Sequence, residues 1–382
     1  MLSARPRRVA AAAACVAAAA VAASSHAAER PRALVYDNAY AMYSVRPDGT
    51  RWQRLNECTL GPMATNGRQI VGAFYGTSSP ALVLMPADKE VVNDCDNGPR
   101  DRSVRHYRLT PRGTVPSYWT TLAWSPDGRR ILGVGSFGTG YAQRSRIAVF
   151  NPNGARYHLL GPSLDGSGSY VTDAAWSPRG DQIVFGRAFE SGDCPEFAET
   201  KTVAIGCDRS ELAVMNADGS EARSLYRPPQ IESSERDDLP EGSQLRALPS
   251  PRFSPFGWHG DRIFLTVTEA DADPDVRIAV IDQDGTGFRY LTPAGSNAVR
   301  PALSPDGRQI AFIWHPGPGC TRKNGSTYCG VSTALYVMSS SGGRARKLVV
   351  RQPLTSVTCE RGSLPGRKTC TVDNIGFGQV TW

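Results

Sequence analysis

Histidine is scarce in this 382-residue sequence, and several motifs of enzyme chemistry are absent. Five histidines occur, and the four beyond residue 27 lie far apart in the chain, at His106, His158, His259 and His315. No two cysteines have the C-x2-C spacing of common zinc sites, and the G-x-S-x-G nucleophile motif does not occur. The sequence therefore offers no catalytic residue and no set of metal ligands, and we expect no cofactor.

Long apolar runs are absent after the first residues, so the sequence predicts no membrane span. A basic start precedes an alanine-rich run, residues 9–21, which is too short to cross a bilayer. Small residues at Ser25 and Ala27 fit a signal peptidase site, and residues 1–27 are therefore predicted to be a signal peptide. Cys15 leaves a lipoprotein signal as the alternative. We expect an exported protein, periplasmic or extracellular, whose mature domain is residues 28–382.

A strong charge of either sign is also absent. The formal net charge is +7, and it falls to +4 in the mature chain because residues 1–27 contain three arginines and no acid. So small a charge on a chain of this length does not indicate the basic surface of a nucleic-acid-binding protein. We expect a monomer without a nucleic-acid partner.

Cysteine, in contrast, occurs in an even number in the predicted mature chain, which in an exported protein indicates disulfides. The candidates are Cys58, Cys95, Cys194, Cys207, Cys320, Cys329, Cys359 and Cys370. Proximity in the sequence favours pairing them two by two in that order, although eight cysteines allow many other pairings. Zinc is the alternative, but no histidine flanks these cysteines at ligand spacing.

The segment LAWSPDGRRIL, residues 122–132, recurs along the chain. Close copies occupy residues 174–184 and 302–312, and a looser copy, RFSPFGWHGDRIF, occupies residues 252–264. In each copy we predict an apolar strand end, a tight turn that suits Pro, Asp and Gly, and a second apolar strand. The residues of this structural repeat are Trp124, Ser125, Pro126, Asp127, Gly128, Trp176, Ser177, Pro178, Gly180, Phe253, Ser254, Pro255, Leu303, Ser304, Pro305, Asp306 and Gly307. So many copies indicate an internal repeat.

Each repeat unit contains four predicted strands, which is the number in one blade of a β-propeller. Glycine-containing turns join the third and fourth strands, as in RIAVF-NPNG-ARYHLL. The sequence therefore predicts an all-β fold with six blades. In the second unit the later strands are ambiguous between ALVLM, residues 81–85, and SVRHYRL, residues 103–109.

The two ends of the predicted propeller complement each other. The first unit lacks an innermost strand, and the chain ends in GFGQVTW, residues 376–382, which resembles the first strand of a unit. We predict that this segment pairs beside ALVYD, residues 33–37, and closes the ring, because closure removes an open sheet edge. Trp382 is then expected in the position that Trp124 and Trp176 hold in their blades.

The pattern AWSPDG…I-x-F…I-x-V-x-N-x-D-G…R-x-L resembles the TolB-type propeller repeat, a relative of WD40 repeats. The resemblance covers residues 33–382 and implies a six-bladed propeller in an exported bacterial protein. It covers the propeller only: TolB proteins carry an N-terminal α/β domain, whereas five residues separate the predicted cleavage site from the first strand here. The repeat motifs are structural, and they identify no ligand.

The insertions of the predicted propeller favour one face. The Ser-Pro turns and the turns between third and fourth strands share one face, the turn face. The opposite face, the loop face, carries the connections between second and third strands and those between blades. All long insertions belong to the loop face: residues 137–145, 189–209, 228–246, 269–276, 315–333 and 351–374. At least three of the four favoured disulfides would crosslink these loops.

Long ordered loops are typical of recognition surfaces. The leading hypothesis is therefore a non-enzymatic binding scaffold for a protein, peptide or glycan, which the disulfide-crosslinked loop face recognises. The alternative is a polysaccharide- or peptide-degrading hydrolase or lyase with its site at the mouth of the central channel, where the inner strands offer mainly Ala, Val, Thr and aromatic residues. For the alternating acids Asp271, Asp273 and Asp275, a solvated turn is favoured over a calcium site, because Val276 stands where a calcium loop needs glycine.

Overall fold

The computed structural model describes residues 33–37, 41–56, 60–75, 80–91, 93–94, 98–99, 101–108, 116–137, 144–160, 169–189, 210–228, 251–268, 275–314, 319–323, 326–330, 333–348, 355–361, 368–374 and 379–382. The predicted signal peptide and Cys58, Cys95, Cys194 and Cys207 lie outside these ranges. Within the described ranges, no helix has the length and apolarity needed to cross a membrane.

The first two blades come from the first third of the chain. Blade 1 contains β1 (Leu34–Asp37), β2 (Met42–Val45) and β3 (Gln53–Asn56). Blade 2 contains β4 (Met63–Thr65), β5 (Gln69–Tyr75), β6 (Pro80–Pro86) and, after the short hairpin of β7 (Asn93–Asp94) and β8 (Gly98–Pro99), β9 (Arg105–Arg108). Both ambiguous segments of the second unit thus contain strands: ALVLM lies in the third strand, β6, and residues 105–108 of SVRHYRL form the fourth, β9.

The next three blades each consist of four consecutive strands. Blade 3 contains β10 (Tyr118–Trp124), β11 (Ile131–Phe137), β12 (Arg144–Phe150) and β13 (His158–Leu160). Blade 4 contains β14 (Ser169–Trp176), β15 (Gln182–Phe189), β16 (Ser210–Asn216) and β17 (Arg223–Tyr226). Blade 5 contains β18 (Arg252–His259), β19 (Arg262–Thr268), β20 (Val276–Asp282) and β21 (Arg289–Tyr290).

Blade 6 is interrupted by strands of an additional sheet. Its own strands are β22 (Ala298–Leu303), β23 (Gln309–Trp314), β26 (Ala334–Ser339) and β27 (Arg346–Lys347). The added sheet contains β24 (Gly319–Lys323), β25 (Ser326–Gly330), β28 (Thr355–Arg361) and β29 (Lys368–Asn374), in the order β24-β25-β29-β28. The last strand, β30 (Val380–Thr381), returns to blade 1.

The inner strands contact each other in the ring order β30, β4, β10, β14, β18, β22 and back to β30. Six clusters of buried side chains fill the six interfaces between neighbouring blades. The all-β fold with six four-stranded blades is therefore confirmed. Apolar strands such as β11, which is buried at every position, supply both faces of each blade.

The C-terminal strand closes the ring, as the sequence predicts. In β30, Val380 pairs with Tyr36 and Thr381 with Val35, and the Asp37 N–H donates to the Gln379 carbonyl over 3.2 Å. Trp382 is buried, and its indole N–H donates to the Ala302 carbonyl of blade 6 over 3.0 Å.

The indoles of Trp124 and Trp176 make the same bond to the preceding blade. Trp124 donates to the Ala64 carbonyl over 3.2 Å, and Trp176 to the Ala123 carbonyl over 3.3 Å. Trp382 thus occupies the position predicted for it.

The Ser-Pro turns are fixed by one recurring set of hydrogen bonds. In blade 3 the Ser125 hydroxyl donates to the Asp127 carboxylate over 2.6 Å and accepts from the Arg130 N–H over 2.9 Å. Gly128 has φ 66°, and its N–H donates to the Ser125 carbonyl over 2.8 Å. Blade 6 repeats these bonds with Ser304, Asp306 and Gly307, whose φ is 68°.

The prediction for Phe253, Ser254 and Pro255 is wrong. These residues lie inside β18 and pair with β19, so they form no turn. The inner hairpin of blade 5 turns instead at Gly260, with φ 56°, because His259 pairs directly with Arg262. Pro255 is tolerated since β18 is the edge strand of its sheet and is bulged at this point, so the ladder does not require its missing N–H.

Candidate functional site

Polar residues occur at one equivalent position of the inner strands, which surround the central channel. In five blades an inner-strand residue pairs with an isoleucine of the second strand: Thr65, Trp124, Trp176, Trp258 and Leu303. Trp382 takes this place in blade 1. The residues three positions earlier in each blade, here called the channel ring, are Pro62, Thr121, Asp173, Pro255, Arg300 and Gln379. Four of the six are polar or charged.

The channel ring coincides with irregularities in the strands. The register between inner and second strands shifts between Trp119 and Thr121, between Val171 and Ala174, and between Val299 and Ala302. A bulge leaves residues outside the ladder and redirects their side chains, and bulges are frequent next to functional sites. The bulges of blades 4 and 6 leave Asp173 and Arg300 outside the ladder, whereas Thr121 pairs with Val134 directly beside the bulge of blade 3.

Asp173 is held by two donors on one carboxylate oxygen. The Thr121 hydroxyl donates to Asp173 Oδ1 over 2.6 Å, and the Ala174 N–H donates to the same oxygen over 2.8 Å. Asp173 keeps a partly exposed surface although protein atoms surround its carboxyl closely, as expected inside a narrow channel. This desolvation raises the pKa of Asp173 to about 7, although the hydroxyl of Thr121 and the charge of Arg300 oppose the shift.

Arg300 lies on the inner strand of blade 6, and its positive charge lowers the pKa of Asp173 on the inner strand of blade 4. Blade 5 lies between these two blades, so the two residues influence each other without belonging to neighbouring blades. Arg300 is exposed and has φ 52°, in the left-handed region that non-glycine residues rarely occupy. Its guanidinium makes no hydrogen bond or ion pair to any residue that the structure describes.

The backbone of Arg300 differs from the other positive φ values among non-glycine residues. Arg51, Arg156 and Glu221 each follow the glycine of a third-to-fourth-strand turn by two positions, and blade 5 has Gly287 there. Their conformation belongs to the repeat. Asn297 and Arg300, in contrast, lie at the start of the blade 6 inner strand, where the repeat requires no such geometry. Strained residues outside a structural repeat often mark functional sites.

The mouth of the channel on the loop face carries aromatic and cationic side chains. The inner strands begin at this end, because Tyr118, Tyr170 and Arg252 pair with the last residues of the second strands. The Arg252 guanidinium lies over the Tyr170 ring at 5.6 Å, and Tyr118 is 40% exposed. Tyr118 and Trp52 are the large exposed apolar residues of the described ranges, and they lie on different blades. These described residues alone therefore form no broad aromatic patch.

An ion-pair cluster fixes the loop-face end of blade 4. The buried Glu211 carboxylate accepts from Arg187 and, over 2.9 Å, from Arg227. Burial would raise the pKa of Glu211, but the Arg227 hydrogen bond and the Arg187 charge outweigh it and hold the pKa below its usual value. The Glu211 carboxylate neutralises the Arg187 guanidinium, and the two ion pairs hold strands β15, β16 and β17 together.

The added sheet is the most elaborate feature of the loop face. Its β24–β25 hairpin belongs to the connection between β23 and β26, and its β28–β29 hairpin belongs to the connection between β27 and β30. Both connections leave the same end of blade 6, because the strands of the blade are antiparallel. The hairpins join through a parallel pairing of β25 with β29. Two insertions that the sequence predicts as loops thus form one sheet.

The residues predicted from the sequence fall into three groups in the structure. The Ser-Pro repeat residues of blades 3, 4 and 6 lie in turns on the turn face and take no part in the channel. Four cysteines lie in the added sheet, where Cys320 is directly paired with Cys329 and Cys359 with Cys370. His106, His158 and His259 lie on different blades, and the described residues contain no group of three or more metal-ligating side chains.

The sequence prediction did not identify Asp173 and Arg300, although a sequence signal for them exists. Each lies three residues before the repeat position of Trp176 and Leu303, immediately in front of the Ser-Pro motif. Counting back from the repeat in every blade finds the channel ring without coordinates. The expectation that Ala, Val, Thr and aromatic residues dominate the channel therefore missed its two charges.

No family model matches the sequence, and no curated protein matches it. Solved structures do match the fold. TolB from Acinetobacter baumannii superposes with a TM-score of 0.51 at 14% identity, over 92% of this chain and 65% of that chain. This chain therefore spans just under two thirds of that TolB.

Weaker similarity reaches two further proteins. A putative TolB from Agrobacterium tumefaciens gives a TM-score of 0.46 at 14% identity, over 83% of this chain and 88% of that chain. The β-propeller domain of the Trilobed protease from Pyrococcus furiosus gives 0.42 at 10% identity, over 83% and 78%. Such low identities concern the fold alone. The repeat pattern, the six closed blades and the Acinetobacter baumannii match together show that this chain has the fold of a TolB-type β-propeller.

Proposed function

We propose that the protein is an exported, non-enzymatic binding scaffold that recognises a protein, peptide or glycan through its loop face. The observation that carries this proposal is the added sheet, which belongs to no blade and joins two separate insertions of the loop face. The ring is already closed by the pairing of β30 with β1, so its closure does not need the added sheet. A structured surface built beyond the fold's own requirements is typical of recognition.

Disulfides between cysteines of the added sheet are part of this proposal. Directly opposite residues of antiparallel strands have Cα atoms about 4.5–5.5 Å apart, and disulfides join Cα atoms about 4.4–6.8 Å apart. The backbone register of Cys320 with Cys329 and of Cys359 with Cys370 is therefore compatible with the two bridges predicted from the sequence. Such bridges would form after export, following removal of residues 1–27.

The test compares capture by the whole loop face with capture by an altered one. Mature protein, residues 28–382, is immobilised and exposed to the envelope and medium fractions of its own source. A variant in which a short Gly-Ser linker replaces residues 317–331 lacks the β24–β25 hairpin, and Arg129→Ala on the turn face serves as the control. The proposal expects a bound component that the control retains and the hairpin variant loses. Equal capture by all three proteins would contradict it.

A hydrolase or lyase with its site in the channel is the second candidate, and one observation favours it. A carboxyl whose pKa lies near 7 is suited to general acid–base catalysis, and burial places Asp173 in that range. Glycoside hydrolysis requires a second carboxyl nearby, and the channel ring provides one acid only. Incubating the mature protein and its Asp173→Asn variant with polysaccharides and peptides tests this candidate, which requires turnover by the parent alone.

A further inference from the structure

We propose that Arg300 and Asp173 form a receptor inside the central channel for a carboxylate group of the ligand. The inference rests on the proposed binding function and identifies the ligand chemistry at its innermost contact. Arg300 pairs with the carboxylate, and Asp173, in its protonated form, donates a second hydrogen bond to it. The receptor therefore binds most tightly at mildly acidic pH.

The exposure and the backbone geometry of Arg300 suit a group that binds an anion. Its side chain is exposed within the ring of inner strands, and no carboxylate of the described residues lies within ion-pair distance of its guanidinium. The guanidinium is planar and offers parallel N–H donors that match a carboxylate. Its φ of 52° shows that the bulge holds an arginine in a backbone conformation better suited to glycine. Selection for folding alone would not place an arginine there.

Asp173 has one oxygen available for a ligand. Both hydrogen bonds from described residues, those of the Thr121 hydroxyl and the Ala174 N–H, end on Oδ1. Oδ2 accepts none from the described residues. A proton on Oδ2 makes this oxygen a donor, and an O–H donor bound to a carboxylate forms a short and strong hydrogen bond. Thr121 and Ala174 thereby orient Asp173 toward the channel.

The charges around Asp173 favour an anion over a cation. Strands β10 and β11, which pack against β14, carry no charged residue, and β12, β15 and β18 carry only cations or histidine. Those residues are Arg144, Arg146, Arg187, Arg252 and His259. Glu211 neutralises Arg187, and His259 lies at the turn-face end of its strand. Arg146 acts on Tyr157 and Arg252 lies over the Tyr170 ring, so among the described residues the charge that reaches Asp173 is the positive charge of Arg300.

The pH dependence follows from the state of Asp173. Its pKa of about 7 leaves the carboxyl protonated at pH 5.5, where a ligand carboxylate is ionised. At pH 8 Asp173 is ionised, repels the ligand carboxylate and competes with it for Arg300. Affinity for a carboxylate should therefore fall by about tenfold or more as the pH rises through 7, since one pKa unit corresponds to a factor of ten.

Titration calorimetry with three defined probes tests the receptor. The probes are succinate, an acetylated tripeptide with a free C-terminal carboxylate, and the same tripeptide as its amide, each at pH 5.5 and pH 8.0. We expect succinate or the free tripeptide to bind at least tenfold more tightly at pH 5.5, and the amide not to bind. The two carboxylates distinguish a small acid from a chain terminus, whereas binding of the amide equal to that of the acid would refute the proposal.

Three variants assign the binding to named residues. Arg300→Gly should abolish binding while the protein stays folded, since φ 52° suits glycine, and a melting curve checks the fold. Asp173→Asn should bind with little pH dependence, because its amide donates at either pH. Arg129→Ala on the turn face should behave as the parent. Unchanged binding by Arg300→Gly would overturn the receptor.

The experiments distinguish a failure of the carboxylate receptor from a failure of the proposed binding function. A captured partner that depends on the β24–β25 hairpin and not on Arg300 would refute the receptor and leave the binding function standing. Carboxylate binding that depends on Arg300, without any captured partner that depends on the hairpin, would support the receptor and refute recognition of a partner through the loop face.

Discussion

Replacing Trp382 with alanine should destabilise the whole propeller, because this side chain completes the closing interface. The indole is buried among residues of blades 1 and 6, including Leu34, Ile313 and Leu335, and its N–H donates to Ala302. Truncating a buried Trp commonly costs about 3–5 kcal/mol. With an unfolding entropy of about 2.1 cal/mol/K per residue over about 350 residues, the expected fall in melting temperature is about 4–7 °C.

Scanning calorimetry of the parent, Trp382→Ala and Trp52→Ala checks this expectation. Trp52 is 49% exposed on the outer strand side of blade 1, so its loss should lower the melting temperature far less. Deleting residues 376–382 removes β30 as well and should give an insoluble or sharply destabilised protein, since the edge of β1 is then open. Equal melting temperatures for both tryptophan variants, or a truncated protein that melts with the parent, would refute closure as the source of stability.

Three further outcomes are expected. Gly128→Val and Gly307→Val should each lower the free energy of unfolding by about 1–2 kcal/mol, because both glycines have a positive φ. Gly307→Val should be the more destabilising, because its Cβ would lie 2.2 Å from the His259 ring, whereas a Cβ at Gly128 would meet nothing closer than 3.8 Å. Urea unfolding that ranks the two variants the other way would contradict the turn packing. The free energy of unfolding should decline as the pH rises from about 4, where Asp173 titrates in the unfolded chain, to about 7, where it titrates in the folded protein. The reason is that the folded state binds one more proton in this range. Denaturation of Asp173→Asn at several pH values should lack this decline. Peptide mapping of the exported protein under denaturing conditions should link Cys320 to Cys329 and Cys359 to Cys370, and two or more titratable thiols would count against the disulfide scheme.

Features that depend on local spacing were predictable from the sequence. The six blades, the Ser-Pro turns of blades 3, 4 and 6, and the closing strand all follow from motifs that recur along the chain. Blade 5 shows where this approach fails. Its Ser254-Pro255 imitates the turn motif, but the register pairs His259 with Arg262 and moves the turn to Gly260. Longer pairing between β18 and β19 outweighed the local preference, and a short motif contains no information about that pairing.

The candidate site was less predictable for a physical reason. Asp173 and Arg300 are 127 positions apart in the chain and belong to blades that do not touch, so no local pattern connects them. Their relation appears only when the blades are aligned on the isoleucine pairing of their inner strands. The added sheet is similar, because its two hairpins lie in separate insertions and meet through a parallel pairing of β25 with β29.

The contrast between two positions of the same inner strands favours the channel as the functional centre. The position that pairs with isoleucine is packed between blades, and tryptophan occupies it in blades 3, 4 and 5, as Trp382 does at the corresponding place in blade 1, because a large apolar side chain fills the interface well. Three residues earlier the fold imposes no such requirement, and the channel ring varies from proline to threonine, aspartate, arginine and glutamine. A structural repeat would fill an unconstrained position with small or neutral residues. An arginine with φ 52°, which has no ion-pair partner among the described residues, and a desolvated aspartate are costly to maintain in positions that the fold leaves free, and a ligand that binds both groups accounts for that cost.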